Sequence, residues 1–263
     1  MDLKTVTLKS YNSIAFITLN RPENFNALDF QLGDDLISAL EICQKDSTSR
    51  VVIITGAGKA FCSGGDLKMA KEYANLEPSE PYRQLTKKLN RIITDIRLLN
   101  KPVIAAINGS VGGAGLSIAA ACDLRIASIN AKFRQAYTNI GLVPDGAWTL
   151  LVPSLIGFGK ANELLYLDPV FDAKKALEIG LVNNIVEPEC LEEFAIQMAE
   201  KIAKGPTRSF VIIKNLVNNS LFTFLERQLE LERQGIINAA ETADYIEGIN
   251  AFFDKRVPQF TGN

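Results

Sequence analysis

The sequence predicts an α/β fold, because short apolar strands alternate with amphipathic helices along most of its 263 residues. Val51–Thr55 and Val103–Ile107 are runs of β-branched and small apolar residues, which is typical of buried strands. From about Cys190 onward the strand signals stop and only helical patterns follow. We therefore expect a strand-and-helix core over residues 1–195 and a helical region over residues 196–263.

Hydrophobic periodicity places the elements of the core in order. Thr5–Ser10 and Ile14–Leu19, separated by a short polar turn, predict a hairpin. Leu28–Asp46 has the apolar spacing of an amphipathic helix, with Asp29 as its N-terminal cap. The remaining predicted elements of the core are strand Val51–Thr55, a helix from about Tyr82 to Leu99, strand Val103–Ile107, helix Gly113–Ala121 and strand Leu124–Ser128.

The carboxy-terminal third predicts four helices, with Gly205-Pro206 as the clearest break. They cover Cys190–Lys204, Pro206–Asn219, Leu221–Ala240 and Thr242–Phe253. Because these helices are rich in leucine, isoleucine and phenylalanine, they must bury apolar surface against the core or against another subunit. This composition predicts a homo-oligomer.

Composition excludes several kinds of partner. The net charge of −2 argues against binding to nucleic acid or to an anionic membrane. The four cysteines lack Cys-x-x-Cys spacing and the chain contains no histidine, so we expect no metal site. Val103–Ala121 is the most apolar stretch, but Asn108 and several glycines favour a buried turn over a membrane span. With no signal-peptide pattern at the amino terminus, the sequence predicts a cytoplasmic protein.

Two glycine-bearing turns, each after a buried strand, are the strongest functional signal. Ser63-Gly64-Gly65-Asp66 follows the first of these strands, and Gly112-Gly113-Ala114-Gly115 leads from the second into a helix. Backbone amides in such turns and at a helix N-terminus can stabilise a negatively charged oxygen. The alternative is that the glycines only allow tight turns and close packing. A dinucleotide site is excluded, because the second turn lacks the third glycine and the acidic residue that such a site needs.

Several segments, taken in order, resemble the enoyl-CoA hydratase/isomerase (crotonase) family. They span nearly the whole chain: Leu19-Asn20-Arg21-Pro22, Asn26-Ala27-Leu28, Ala60–Leu67, Lys101–Asn108, Cys122-Asp123-Leu124, Gly141-Leu142-Val143-Pro144, Gly180-Leu181-Val182, Glu247-Gly248 and Ala251–Arg256. The resemblance implies a spiral of β-β-α turns with a C-terminal helical region that forms trimers or dimers of trimers. It also implies an acyl-CoA thioester substrate. No separate cofactor is expected, since coenzyme A is part of that substrate.

By position, the resemblance assigns the backbone amides of Gly65 and Ala114 to the oxyanion hole. It also places Arg21, Ala27, Leu67, Lys68 and Lys255 where relatives contact coenzyme A. Lys68 and Lys255 are the expected partners of its phosphates, with ordinary surface charge as the alternative. The segment Lys71–Pro81 is expected to line or cover the acyl pocket.

The departure from the family pattern concerns the proton-moving residues. Hydratases of the family carry two glutamates, and Ser117 and Tyr137 stand at those positions here. Asp145, in Pro144-Asp145-Gly146, matches the acid/base aspartate of the epoxyphenylacetyl-CoA isomerase and enoyl-CoA isomerase branch. From local sequence alone, Asp145 is equally typical of a helix cap or turn. The other nearby carboxylate, Asp66, is interpreted as a turn residue.

These residues predict an acyl-CoA isomerase that shifts a proton on a thioester enolate, with Asp145 as the single acid/base. A hydratase in which Asp145 acts with Tyr137 is the alternative within the family. An inactive scaffold that binds RNA is the alternative from another class. It would use the basic face of the helix that carries Arg83, Lys87, Lys88, Arg91 and Arg97, offset by Asp95.

Overall fold

The structure of the protein is a computed structural model that describes residues 3–74 and 76–263. The strands in chain order are β1 (Val6–Tyr11), β2 (Ile14–Leu19), β3 (Val51–Gly56), β4 (Ala60–Cys62), β5 (Val103–Ile107), β6 (Ser110–Gly112), β7 (Leu124–Ser128), β8 (Lys132–Arg134), β9 (Phe171–Asp172) and β10 (Asn184–Val186). The helices are α1 (Phe30–Lys45), α2 (Leu67–Tyr73), α3 (Glu80–Leu98), α4 (Ala114–Ala121), α5 (Trp148–Ile156), α6 (Phe158–Leu167), α7 (Ala173–Glu178), α8 (Leu191–Ala203), α9 (Thr207–Leu221), α10 (Leu225–Ala240) and α11 (Ala243–Asp254).

The strands form two sheets that are wound by the same chain path. The larger sheet has the order β1-β2-β3-β5-β7-β10, and the smaller has the order β4-β6-β8-β9. In the larger sheet β3, β5 and β7 pair in parallel. Each is followed along the chain by a strand of the smaller sheet, and these strands, β4, β6 and β8, also pair in parallel. Each turn thus contributes one strand to each sheet before a helix returns the chain. This is the β-β-α spiral that the family resemblance implies, and the predicted α/β class is confirmed.

The central strands β3 and β5 of the larger sheet are buried on both faces, which explains their continuous apolar sequences. On β3, Val51 and Ile53 pack in one cluster with Leu191, Ala195 and Ala199 of α8. Val52 and Ile54 point to the opposite face and join the main core with residues of α1 and α3. The period of two along the strand therefore separates an α8 layer from the main core.

The predicted helices agree closely with the structure where the apolar period is long. Asp29 caps α1, because its side chain accepts a hydrogen bond of 2.7 Å from the Leu32 amide. The four C-terminal helices are also present as α8 to α11. The predicted boundary between residues 195 and 196 falls inside α8, which packs on the larger sheet. No helix in residues 3–74 and 76–263 is long and apolar enough to cross a membrane.

Candidate active site

A cavity of about 400 Å³ opens between the two glycine turns and helices α3, α10 and α11. Its polar rim includes Glu23, Asn24 and Lys68, and its apolar wall includes Leu85 and Ile236. Besides Lys68, six of the predicted site residues line it, namely Ala27, Gly65, Leu67, Ala114, Tyr137 and Asp145. The structure thus brings most of the predicted site to one cavity.

The two glycine turns touch each other at the cavity wall. A Cβ atom built on Gly64 would lie 3.3 Å from the Cα of Gly113 and 3.6 Å from the amide nitrogen of Ala114. Gly64 and Gly113 both have positive φ angles, of 108° and 48°, in the region that favours glycine. Glycine is therefore needed at both positions for the backbone to approach this closely.

The amides of Gly65 and Ala114 flank this contact, and both residues line the cavity. Ala114 is the first residue of α4, so its amide has no intrahelical acceptor. Neither amide donates a hydrogen bond to any residue that the structure describes. Two such donors beside one cavity can bind an oxyanion, with the positive end of the α4 dipole adding to the attraction.

Tyr137 and Asp145 form a buried hydrogen-bonded pair in the same cavity. The Tyr137 hydroxyl donates to Oδ1 of Asp145 over 2.6 Å, and it lies near the turn that carries Ala114. Burial raises the pKa of Asp145 to about 6, against the lowering effect of this hydrogen bond. Burial and the charge of Asp145 raise the pKa of Tyr137 well above 10, so the phenol stays protonated at neutral pH. Asp145 is therefore the group of the pair that can exchange a proton.

Asp145 does not cap the helix that follows it. The N-cap position of α5 belongs to Ala147, which has a positive φ of 60° and gives no side-chain cap. The carboxylate of Asp145 instead faces the cavity and Tyr137. The structure therefore does not support the interpretation of Asp145 as a helix cap.

Ser117 lies behind the pair and holds its backbone. Its hydroxyl donates to the carbonyl oxygen of Asp145 over 2.7 Å, and its side chain is fully buried. A Cβ atom on Gly146 would come within 2.9 Å of Ser117 Cβ, so the turn packs directly on α4. Ser117 does not line the cavity itself. It supports Asp145 from the second layer.

Asp66 lines the cavity but has its carboxylate engaged elsewhere. It caps α2 by accepting a hydrogen bond from the Lys68 amide, and it pairs with Arg21 at 3.1 Å. Arg21 also pairs with Asp29 at 3.0 Å and donates to the carbonyl of Ala27. Arg21 does not line the cavity, because its guanidinium holds the Ala27 loop and the Asp66 turn together.

The two lysines predicted to bind phosphate lie in different places. Lys68 is exposed at the cavity rim, where it donates to Asn24 over 3.2 Å. Lys255 ends α11 in a left-handed conformation and does not line the cavity of its own chain. Phe252 and Phe253, one turn earlier on α11, do line it. The geometry therefore favours Lys68 over Lys255.

The apolar wall of the cavity escaped the sequence analysis. It is built from α3, α10 and α11 by Tyr82, Leu85, Leu89, Ile236 and Phe252. These side chains lie in helices that the sequence predicts, but the helical pattern carried no sign of what they face. Among the described residues of 71–81 none lines the cavity itself, but Lys71 lies over the ring of Phe253, which does line it, at 5.8 Å from the ring centroid. That this segment covers the acyl pocket stays a prediction.

The described residues hold no group of three or more histidine, cysteine, aspartate or glutamate side chains that could bind a metal ion. The cavity itself offers a buried carboxylate, a phenol that donates to it, and two backbone amides. Such a set can move a proton while an oxyanion is held.

Comparison with known proteins gives a consistent result over the whole chain. The sequence pattern of the enoyl-CoA hydratase/isomerase family matches residues 9–263. The chain is 34% identical over 262 residues to the trans-2-decenoyl-[acyl-carrier-protein] isomerase of Streptococcus mutans, covering 100% of both chains. It is 37% identical over 250 residues to the 1,2-epoxyphenylacetyl-CoA isomerase of Escherichia coli, covering 94% of each. The crystal structure of an enoyl-CoA hydratase from Mycobacterium avium subsp. paratuberculosis superposes with a TM-score of 0.89 at 30% identity, covering 99% of this chain and 100% of that one.

Proposed function

The chain belongs to the enoyl-CoA hydratase/isomerase family, and within it we propose that this enzyme is an acyl-CoA isomerase with Asp145 as its acid/base. The observation that carries the proposal is the buried carboxylate of Asp145, which lines the same cavity as Gly65 and Ala114. The other buried carboxylate of the cavity, Asp66, is held in an ion pair with Arg21. The positions of the two hydratase glutamates are held by Ser117 and Tyr137, which cannot act as bases near neutral pH.

The proposed reaction needs one proton carrier and one oxyanion site. Asp145 removes a proton from the α or γ carbon of an enoyl thioester, and the electrons move onto the thioester oxygen. The amides of Gly65 and Ala114 stabilise that oxygen in the dienolate. Asp145 then returns the proton to the other carbon, so the double bond moves and no atom is gained or lost. A carboxyl pKa of about 6 suits both steps near neutral pH, because the group is ionised yet still a usable acid.

Tyr137 tunes this carboxylate in the proposal. Its hydroxyl occupies Oδ1 of Asp145, which leaves Oδ2 as the oxygen that takes the proton. The hydrogen bond also keeps the pKa of Asp145 lower than burial alone would make it. Without the phenol, the carboxyl would bind its proton more tightly and be a smaller fraction ionised at neutral pH.

Hydration of a 2-enoyl thioester is the second candidate. The observation in its favour is the 2.6 Å hydrogen bond between Tyr137 and Asp145, because the two side chains together could orient a water molecule. One buried carboxylate suffices for a proton shift, however, whereas water addition ordinarily uses two positioned groups. The pair therefore supports isomerisation better.

RNA binding through the α3 basic face has little support. Four of its five cations pair with carboxylates, namely Arg83 with Glu241, Lys88 with Asp34, Arg91 with Glu41 and Asp95, and Arg97 with Asp123. Arg97 is also buried. Because these charges are compensated, α3 offers no continuous positive surface to a phosphate backbone.

We also propose that the protein is a homo-oligomer that associates through α9. Ile212, Ile213 and Leu216 on this helix are 59%, 54% and 64% exposed. A row of large apolar side chains on one helix is costly in water and is typical of a subunit interface. A trimer or a dimer of trimers, as the family implies, would cover it.

A panel of thioesters tests the proposed activity. It contains Δ3-enoyl, Δ2-enoyl and ring-containing acyl-CoA thioesters, with a decenoyl thioester offered on both coenzyme A and acyl carrier protein, and each is assayed for isomerisation and for hydration. We expect isomerisation to dominate for at least one acyl group. Hydration at equal or greater rates throughout the panel would favour the second candidate and overturn the first.

A further inference from the structure

The turn that carries Asp145 adopts a conformation that its own residues do not favour. Gly146 and Ala147 have successive positive φ angles of 67° and 60° before α5 begins at Trp148. A non-glycine residue adopts this region only where its surroundings hold it. α5 also has no side-chain cap of its own. The Trp148 amide donates to the Asp145 carbonyl and the Leu150 amide to the Ala147 carbonyl, which leaves the Thr149 amide to find an acceptor elsewhere.

The acceptor comes from a distant helix. Oε1 of Glu232 on α10 accepts a hydrogen bond of 2.9 Å from the Thr149 amide and another from the Thr149 hydroxyl. Gln228, one turn earlier on α10, donates to the same hydroxyl over 2.7 Å. α10 therefore caps α5 in place of the missing N-cap side chain. Through α5 it fixes the residues that follow Asp145.

Glu232 is an unusual choice for a purely structural cap. Only 5% of the residue is exposed, and its Oε2 has no hydrogen-bond partner among the described residues. Burial raises the pKa of Glu232 to about 7, and the negative charge of Asp145 adds to this effect. A buried carboxyl with one unsatisfied oxygen destabilises the fold, so its presence here calls for a reason other than stability.

The position of Glu232 supplies that reason. Ile236, one turn further along α10, lines the cavity, so Glu232 is in the layer directly behind the site. We propose that Glu232 is a positioning residue for Asp145. From α10 it caps α5, and the capped helix fixes the Asp145-Gly146-Ala147 turn. The inference rests on the proposed role of Asp145, but it concerns a residue outside the cavity.

Two substitutions at Glu232 separate positioning from stability. Glu232→Met fills the same space without an acceptor and removes a buried carboxyl, so this variant should fold at least as well as the wild type. With the cap lost, Asp145 shifts relative to the oxyanion amides, and we expect kcat to fall about 10- to 100-fold with KM within about twofold. Glu232→Gln keeps an acceptor oxygen for the Thr149 amide and should stay within about threefold of wild-type kcat.

The matched control is Glu230→Gln on the same helix, where the side chain is 47% exposed and pairs with Arg233. It should leave kcat and KM unchanged. A folded Glu232→Met variant with wild-type kcat, or a Glu232→Gln variant as slow as Glu232→Met, overturns the positioning role. Asp145→Asn is assayed in parallel to keep the two claims apart. If Asp145→Asn stays active, the proposed function fails; if only Glu232→Met is unaffected, the function stands and the positioning role alone fails.

Discussion

Replacing Asp145 by asparagine should abolish catalysis and stabilise the protein at the same time. Asparagine is nearly isosteric, and its Oδ1 can still accept the hydrogen bond from Tyr137. It cannot take a proton, so exchange of the substrate α-hydrogens should fall by about 10²–10⁴, the range expected for loss of a general base. Binding of the thioester should persist, because the cavity keeps its shape.

The gain in stability follows from the shifted carboxyl. Burial raises the pKa of Asp145 from 3.8 to about 6 in the folded protein, so the fold favours the protonated form. This destabilising effect is absent below about pH 3.8, grows as the pH rises towards 6, and is complete above it. A shift of about two pKa units corresponds to about 3 kcal/mol. The free energy of unfolding of Asp145→Asn, relative to wild type, should therefore rise by about 3 kcal/mol between acidic and mildly alkaline pH.

The measurement uses two readouts on one pair of proteins. Exchange of substrate hydrogen for deuterium is followed by NMR in D₂O, with binding of the thioester measured separately by calorimetry. Unfolding in urea is followed at several pH values by the fluorescence of Trp148, the single tryptophan, which is buried three residues from Asp145. Comparing the variant with wild type at each pH cancels the titration of those shared groups that do not interact with Asp145.

Two results would refute this reasoning. An active Asp145→Asn variant would show that the carboxylate does not carry the proton. A stability difference that does not change with pH would show that Asp145 is not buried as a raised-pKa carboxyl. Glu232 adds to the expected stability difference. Because the charge of Asp145 raises the pKa of Glu232, its loss makes ionisation of Glu232 easier and further stabilises the variant at high pH.

The remaining predictions concern the oxyanion amides, the phosphate partners, the supporting residues and the subunit interface. Ala114→Pro removes one oxyanion donor at a first-turn position that tolerates proline, so kcat should fall about 10²–10³-fold in a folded protein, and normal turnover would remove Ala114 from the site. Lys68→Gln should raise KM with little change in kcat. Lys255→Gln should change neither constant if the cavity of one chain binds the whole thioester. An equal rise in KM for both variants would contradict the placement of Lys68 at the rim. Tyr137→Phe and Ser117→Ala should each keep most of the isomerase activity, and an inactive Tyr137→Phe beside an active Asp145→Asn would transfer the acid/base role to the phenol. Leu216→Glu on the exposed face of α9 should yield monomers in light scattering, and an unchanged assembly would place the interface elsewhere.

The long elements were predictable because periodicity is a local property of the chain. β5 and β7 have the predicted bounds, and α1 differs by two residues at its start and one at its end. β4, β6 and β8 were missed because they are three residues long, too short for a period of two to stand out. Their pairing depends on the larger sheet. Because β3, β5 and β7 lie side by side there, the chain segments that follow them also start side by side.

The candidate site divides in the same way between local and distant causes. Gly65, Ala114 and Asp145 lie in short motifs that carry the family resemblance, so they could be proposed as site residues from the sequence. The role of Glu232 could not be found this way, because 83 positions separate it from Thr149 and α10 shows only an amphipathic pattern along that stretch. A cap supplied by another helix leaves no N-terminal signature, and Ala147 stands where the missing cap would be expected. In the sequence, Asp145 stands where an N-terminal cap of α5 would be expected. In the structure Glu232 caps α5 instead, and the Asp145 carboxylate is free to face the cavity.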